Sequence, residues 1–285
     1  MLRIWYEYKM KSYSILFILF FHTLIQNGWA REYVEVELNN GKIISGELLE
    51  LYSDKWFYEE TDAPDEYLLL FSYGIYDEKK TNESPFQIYN TREIKKYTSY
   101  AFQTQLYDTY LKNNEIIFKS HPVMDATTIT GNEGHHKYEK MFGNFAWDIG
   151  VMDQRGKFFE EEGLSNENYF IFGKEVYSPF RGIIVGAQKS WPDNPADPSL
   201  SSDLSGKTNN YLTIKIHSHI FLSLVHFQEN TIPVEIGDKI EEGTYLGKVG
   251  NSGISYLPHL HYTLYTYIEK LDRFISIPAL TEWQD

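Results

Sequence analysis

The sequence predicts a mainly β protein, in which a small β-rich module precedes a larger domain built on an antiparallel sheet. Apolar and polar residues alternate in YVEVEL, Tyr33 to Leu38, as they do in a half-buried strand. Glycine-containing turns recur between short runs of β-branched and aromatic residues, and helical periodicity is almost absent after residue 120. Strands joined by short turns are typical of antiparallel sheets.

The first thirty residues have the pattern of a secretory signal peptide. Three basic residues precede an apolar stretch, Ser14 to Phe21, and the small residues Gly28 and Ala30 stand at the two positions that a signal peptidase reads. The apolar stretch is too short to span a bilayer. We therefore expect cleavage after residue 30, export to the periplasm or the extracellular space, and no integral membrane segment in the mature chain.

Composition excludes several classes of partner and chemistry. Cleavage after residue 30 would leave 23 Lys and Arg against 39 Asp and Glu, a net charge of −16. This surface would repel a polyanion, and no basic patch is evident, so nucleic acid is not expected as a partner. The chain has no cysteine, which excludes disulfides, thiolate metal sites and a cysteine nucleophile. The composition leaves the oligomeric state open.

The predicted N-terminal module covers residues 31–98. An Asn-Gly turn follows the first strand, and IISGELLELYSDKWFY and PFQIYNTREIKKYT continue the apolar-polar pattern. The phrase NGKIISGELLEL resembles SH3-like or Sm-like β-barrels. We expect a structural or binding role for this module.

A linker helix is predicted over residues 99–119. The segment YAFQTQLYDTYLKNN places Phe102, Leu106 and Tyr110 at helical spacing. Their aromatic and aliphatic side chains are expected to make core contacts.

The remainder, residues 120–285, is predicted to be the antiparallel sheet domain. Strand-forming runs broken by glycine occur in EVYSPFRGIIVGA, NNYLTIKIHSHIFLSLVHF and DKIEEGTYLGKVGNSG. The polar, Pro/Ser-rich segment Lys189 to Asn210 is expected to be a long surface loop that borders a cleft.

A pair of histidines marks the most specific part of this domain. His259 and His261 are one residue apart in SYLPHLHYTLY, a run otherwise rich in strand-forming residues. Residues two apart in a strand share a face and lie about 7 Å apart along the chain, so both imidazoles should face one place. His-x-His is a weak metal signal by itself, since histidine is also common in half-buried strands.

Five ordered segments strengthen the case for a metal site. Together they resemble the lysostaphin/LytM-type zinc endopeptidases of the duplicated hybrid motif family. The resemblance covers about residues 120 to 270 and implies a LytM-type peptidase domain. The segments are GNFAWDIG, GKEVYSPFRGIIVGA, NNYLTIKIH, LVHF and GDKIEEGTYLGKVGNSGISYLPHLHY.

The resemblance implies roles for individual residues. Asp148 and His261 match two zinc ligands, from a His-x-x-x-Asp motif and from the second histidine of His-x-His. His226 and His259 match the two non-ligating catalytic histidines. We assign His259 as the general base and His226 as the donor to the developing oxyanion, and the two roles are exchangeable.

Zinc suits this chemistry on physical grounds. With three protein ligands and one open position, Zn²⁺ polarises a peptide carbonyl and lowers the pKa of its water to about 7. A neutral imidazole, with an ordinary pKa of about 6.5, can then accept the proton.

The chain departs from the family pattern at the first ligand, where Asn144 replaces histidine. An amide oxygen is a neutral and weaker zinc donor than an imidazole nitrogen. Three interpretations follow, in order of preference: Asn144 ligates zinc through its amide oxygen, the metal site is degenerate, or His135 or His136 from GHHKYEK substitutes for the missing ligand.

Several other residues in these segments are predicted to be structural. His217 and His219 form a second His-x-His pair, and we assign both to structure. Tyr211, Tyr262 and Trp147 are expected in the core or in the wall of the cleft.

The sequence thus predicts an exported zinc metalloendopeptidase that cleaves peptide bonds in the stem peptides or cross-bridges of bacterial peptidoglycan. The alternative is a catalytically weakened LytM-type domain that binds the cell wall or regulates a partner wall hydrolase. Asn144 favours the alternative, whereas the four matching polar residues favour the enzyme. A plain β-barrel adhesin would leave those four positions unexplained.

Overall fold

The computed structural model describes residues 31–53, 66–72, 83–131 and 144–283, without the side chains of residues 102 and 103. The predicted signal peptide, and the segment with His135 and His136, lie outside the described residues. Strands dominate what is described, and every pairing between named strands is antiparallel, which confirms the predicted fold class. Across the described ranges, no helix is long and apolar enough to cross a membrane.

The N-terminal strands form a five-stranded sheet in the order β4-β3-β2-β1-β5. Consecutive strands pair from β1 to β4, and β5 returns to pair with β1. Strands β4 and β5 thus lie at opposite edges, and the SH3-like or Sm-like barrel stays a prediction. The strands are β1 Arg31–Leu38, β2 Ile43–Ser53, β3 Glu66–Phe71, β4 Phe86–Asn90 and β5 Ile94–Thr104.

The two faces of this sheet are both apolar, and they pack differently. In β3, Leu68 and Leu70 join a small core within the module, together with Val34 and Val36. The alternate residues Leu69 and Phe71 join the large core that also contains the C-terminal strands. The N-terminal sheet is therefore packed against the rest of the chain rather than tethered to it.

One α-helix follows β5 in the described residues, α1 Leu106–Asn113. It is shorter than the predicted 99–119, because β5 continues to Thr104, which pairs with Arg31. Phe102, which the helical spacing included, is in this strand. The helix buries Tyr107, Tyr110 and Leu111 in the large core.

The C-terminal domain is built on an eight-stranded sheet in the order β12-β9-β10-β11-β14-β7-β6, with β15 paired to β14. Strands β8 and β13 form a separate ribbon. The ten strands are β6 Thr127–Gly131, β7 Trp147–Gly150, β8 Glu175–Tyr177, β9 Gly182–Gln188, β10 Tyr211–Lys215, β11 Phe221–Val225, β12 Lys239–Ile240, β13 Tyr245–Lys248, β14 Leu260–Ile268 and β15 Arg273–Ser276.

Alternation along β14 separates the core from the functional face. Leu260, Tyr262 and Leu264 are fully buried, whereas His261 between them is only partly buried. Tyr262 stacks on Trp147 with ring centroids 5.2 Å apart, so both aromatic residues belong to the core. Tyr211 is half-buried. The face that carries His261 is the opposite one.

The segment from Lys189 to Asn210 has no helix or strand beyond a single bridge between Asp193 and Ser252. It is a long loop, as the sequence predicts. Contrary to its polar composition, it is anchored in the interior by Asn194 and Asn210, whose side chains are buried.

Candidate metal and catalytic site

Asp148 and His261 meet across two neighbouring strands. They are directly opposite in the pairing of β7 with β14, a position in which side chains on one face lie close together. Nδ1 of His261 lies 3.0 Å from Oδ1 of Asp148, and both side chains keep some contact with solvent. The two residues predicted as metal ligands therefore converge on one accessible point.

His259 lies on the same side of the sheet, as the strand spacing predicts. Its Nε2 is 3.4 Å from the same Oδ1 of Asp148. Its Nδ1 is 2.8 Å from the backbone oxygen of Leu257 and 3.3 Å from Oγ of Ser255. Since the carbonyl only accepts, Nδ1 carries the proton that it donates, and Nε2 is left to face Asp148.

His226 reaches the same cluster from the end of β11. Its ring centroid is 4.5 Å from that of His259 and 6.1 Å from that of His261. Its φ of 71° is left-handed, a conformation that costs a non-glycine residue roughly 1–3 kcal/mol. Nδ1 donates to the backbone oxygen of Ser252 at 2.8 Å. The strained backbone and this bond together fix the buried ring beside His259.

The surroundings push the pKa values of these two histidines apart. Burial lowers the pKa of His226 well below its ordinary value, and positive charge on His259 or His261 would lower it further. Burial also disfavours the charged form of His259, but the charge and hydrogen bonding of Asp148, together with the hydrogen bond to the carbonyl of Leu257, raise the pKa of His259 overall. Asp148 is also a predicted metal ligand, and a metal ion bound to it would weaken its effect on His259. We therefore assign the base and donor roles to His226 and His259 together, and not one role to each ring.

A layer of buried polar groups holds the loop that leads to His259. Ser255 donates to Oδ1 of Asn251 at 2.7 Å, and Ser252 donates to the backbone oxygen of Phe227 at 2.8 Å. Asn194 donates to the backbone oxygens of Gly253 and Ser255 at 2.7 and 3.0 Å. These positioning residues were missed in the sequence, where Asn and Ser beside glycine look like ordinary turn composition.

Two glycines allow this loop to approach so closely. A Cβ on Gly250 would lie 2.4 Å from the backbone of Gln228, and Gly253 has a φ of +80°. Neither position accepts a larger residue without a shift of the loop.

Asn144 precedes β7 and is almost fully buried, with 7% of its surface exposed. Its Nδ2 donates to Oε2 of Glu50 in β2 at 3.2 Å. Among the described residues, its Oδ1 has no hydrogen-bond partner. A buried acceptor without a partner costs about 1–3 kcal/mol, and a metal ion would remove that cost.

The available donors could hold a metal ion, but one of the three is an amide oxygen in place of the usual imidazole nitrogen. The described part of the chain holds no group of three or more His, Cys, Asp or Glu arranged to bind a metal ion. Asp148 and His261 would need a third donor of another type, and the unpartnered amide oxygen of Asn144 supplies a type that zinc accepts.

The second histidine pair lies elsewhere. Nδ1 of His217 is 2.9 Å from the hydroxyl of Tyr110 in helix α1, and the two rings meet edge to face. His219 lies in the turn between β10 and β11. His217 thus has a structural contact, in line with its predicted role.

Comparison with known proteins confirms the resemblance seen in the sequence. Residues 170–273 match the family model described as peptidase family M23. The matched range includes His226, His259 and His261, and it begins after Asn144 and Asp148. An uncharacterized metalloprotease of Buchnera aphidicola subsp. Baizongia pistaciae is 25% identical over 179 residues, which cover 55% of this chain. The matched segment spans 45% of the length of that relative.

Solved structures include similar chains at low identity. The catalytic domain of the prophage-encoded M23 protein EnpA from Enterococcus faecalis is 17% identical, with a TM-score of 0.35, covering 56% of this chain and 94% of its own. A zinc-containing peptidase from Vibrio cholerae is 15% identical, with a TM-score of 0.34, covering 86% of this chain and 54% of its own. The family match lies within the C-terminal domain.

Proposed function

We propose that this chain is an exported zinc metalloendopeptidase that cleaves peptide bonds in bacterial peptidoglycan. The observation that carries the proposal is the convergence of Asp148, His261, His259 and His226 at one partly accessible point of the C-terminal sheet. Asp148 and His261 could contribute to holding a metal ion, and His226 and His259 could move protons, which is the division of roles that metal-assisted hydrolysis of an amide uses.

Asp148, His261 and the amide oxygen of Asn144 would hold the zinc ion. When bound there, Zn²⁺ would act as a Lewis acid on the scissile carbonyl and make water more acidic.

His226 and His259 perform the proton transfers. In each ring Nδ1 donates to a backbone carbonyl, so Nε2 is the atom that accepts or gives up a proton. Unprotonated, Nε2 takes the proton of the attacking water; protonated, it donates to the oxygen that gains charge, and later to the leaving amine. The carbonyls of Ser252 and Leu257 hold the rings in this tautomer.

The sequence supports the proposed substrate and the proposed export of the protein. The segments around the site resemble those of lysostaphin/LytM-type endopeptidases, and the N-terminal thirty residues have the pattern of a secretory signal. Peptidoglycan lies outside the cytoplasmic membrane, so a hydrolase that acts on it must be exported.

Incubation of the mature protein with peptidoglycan sacculi tests the proposal. We expect new amino termini and no new reducing sugar ends, because the site attacks an amide bond rather than a glycosidic bond. A chelator should stop the reaction, and zinc at modest concentration should restore it. If no amino termini appear on walls of several cross-link types, while the protein still sediments with sacculi, the wall-binding or regulatory alternative replaces the enzyme.

Variants of the two proton-transfer residues sharpen the test. His259→Ala and His226→Ala should each retain zinc, since neither ring is a proposed ligand, and each should lose roughly two to four orders of magnitude in rate. Rate and zinc content are measured on the same preparations. Loss of zinc together with activity would show that the ligand assignment is wrong.

A further inference from the structure

We infer that Glu50, in strand β2 of the N-terminal module, is a positioning residue for the metal site, because it orients the amide of Asn144 so that the oxygen is the end available to a metal. The inference rests on the proposed zinc site and adds a residue from outside the peptidase domain. Glu50 and Asn144 are 94 positions apart in the chain and are joined by a 3.2 Å hydrogen bond.

The carboxylate of Glu50 is itself held in place. Its Oε1 accepts from the backbone N–H of Leu51 at 2.8 Å, and Oε2 accepts from Nδ2 of Asn144. The side chain is half-buried where the two modules meet. It is therefore a fixed acceptor rather than a mobile surface charge.

A fixed carboxylate selects one of the two orientations of an asparagine amide. An ionised carboxylate can only accept, so it pairs with the NH₂ end and repels the carbonyl end. With Nδ2 held by Glu50, Oδ1 is the end that stays without a partner among the described residues. Rotating the amide would bring two acceptors together and leave a buried NH₂ group unpaired.

The same contact should make the amide a better ligand. Hydrogen bonds from a ligand to an outer carboxylate orient it and raise its basicity, and removing such an outer partner typically weakens metal affinity 10–100-fold. An amide oxygen is weaker than the imidazole that the family pattern places here. Glu50 offsets part of that deficit, and the metal site is then complete only with the N-terminal module docked.

Zinc affinity is the readout, measured on the full mature chain by competition with a chromophoric chelator. Glu50→Ala should raise the zinc dissociation constant 10–100-fold. Glu50→Gln, which keeps the shape but not the charge, should also weaken binding, because a neutral amide selects the orientation of Asn144 less strongly. If Glu50→Ala fails to fold, Glu50→Gln tests the inference in its place. Glu37→Gln, at a half-buried residue of the same module that pairs with Lys95, is the matched control and should bind like the original chain.

A double variant separates positioning from direct ligation. If Glu50 acts through Asn144, Asn144→Ala combined with Glu50→Ala should bind zinc no more weakly than Asn144→Ala alone. Additive losses would mean that Glu50 contacts the metal independently, which overturns the inference. Unchanged affinity in both Glu50 variants would overturn it as well, with the proposed function intact. Failure of the original chain to bind zinc would instead reject the proposed function.

Discussion

Asn144 is the residue at which this chain differs from the lysostaphin/LytM-type pattern, and its surroundings show how an amide can occupy that place. The side chain is buried, its NH₂ end is held by Glu50, and its oxygen has no partner in the described ranges. A residue left over from a degenerate site would be expected to satisfy both ends of its amide. If this oxygen is a metal ligand, as proposed above, both ends of the amide are satisfied.

Replacing the amide by the family's usual donor tests this argument. Asn144→His should tighten zinc binding by about one to two orders of magnitude, because zinc prefers an imidazole nitrogen to a neutral oxygen. Chelator competition measures the change. Unchanged affinity, together with normal zinc content in Asn144→Ala, would show that His135 or His136 fills the position instead.

The two His-x-His pairs allow a matched comparison of zinc content between single-residue variants. His261→Ala should abolish stoichiometric zinc, because it removes the donor that faces Asp148. His217→Ala should keep close to one zinc per chain, since that ring contacts Tyr110 of the helix. Elemental analysis of protein purified without added metal distinguishes them. Equal loss in both variants would contradict the assignment of His261.

Helix α1 shows how one element depends on another that is distant in sequence. Gln105, at its N-terminal cap, makes no side-chain capping bond. Instead the buried carboxylate of Glu47 in β2 accepts from the backbone N–H groups of Leu106 and Tyr107 at 2.5 and 2.8 Å. A negative charge at this end also suits the helix dipole. Glu47 thus starts the helix from the neighbouring sheet.

Removing this cap should destabilise the whole chain. Glu47→Ala leaves the buried N–H of Tyr107 and the partly buried N–H of Leu106 without this acceptor, so we expect a loss of about 2–3 kcal/mol in the free energy of unfolding. Glu37→Gln, a change at a half-buried residue of the adjacent strand whose ion-pair partner Lys95 is exposed, should cost at most about 1 kcal/mol. Urea unfolding measures both, and an effect of Glu47→Ala as small as that of the control would mean that the helix is capped by other groups.

At the scale of the whole molecule, the two modules share one core. Leu69 and Phe71 of the N-terminal sheet belong to the same buried cluster as Trp147 and Tyr262. Hydroxyl groups also cross between the modules, from Tyr52 to the backbone oxygen of Ser276, and from Tyr107 to that of Pro278. A shared core of this kind implies cooperative unfolding.

Tyr52→Phe should therefore lower the stability of both modules together. It leaves the buried carbonyl of Ser276 without this donor, at a cost of about 1–2 kcal/mol. Thermal unfolding followed by far-UV and near-UV circular dichroism should show one shared transition, moved to lower temperature. Tyr33→Phe removes a hydrogen bond to Ser45 within one sheet, and it should lower the transition temperature less than Tyr52→Phe does. Two separate transitions would show that the modules unfold independently.

The strand-rich fold and most of the candidate site could be predicted from local patterns and motifs in the sequence. Alternation in YVEVEL and LHYTLY is local, and His259 and His261 share a face because a strand repeats every two residues. The matching motifs were enough to select Asp148 and His226 as their companions.

The groups that support those residues could not be predicted in this way, because they come together only in the folded chain. The bonds that Asn144 donates to Glu50, helix α1 to Glu47 and His226 to the backbone oxygen of Ser252 join positions 26 to 94 residues apart. No local period encodes such contacts, because they depend on how sheets and loops pack. For the same reason β5 continues to Thr104, where pairing with β1 overrides a helical spacing that the sequence also contains.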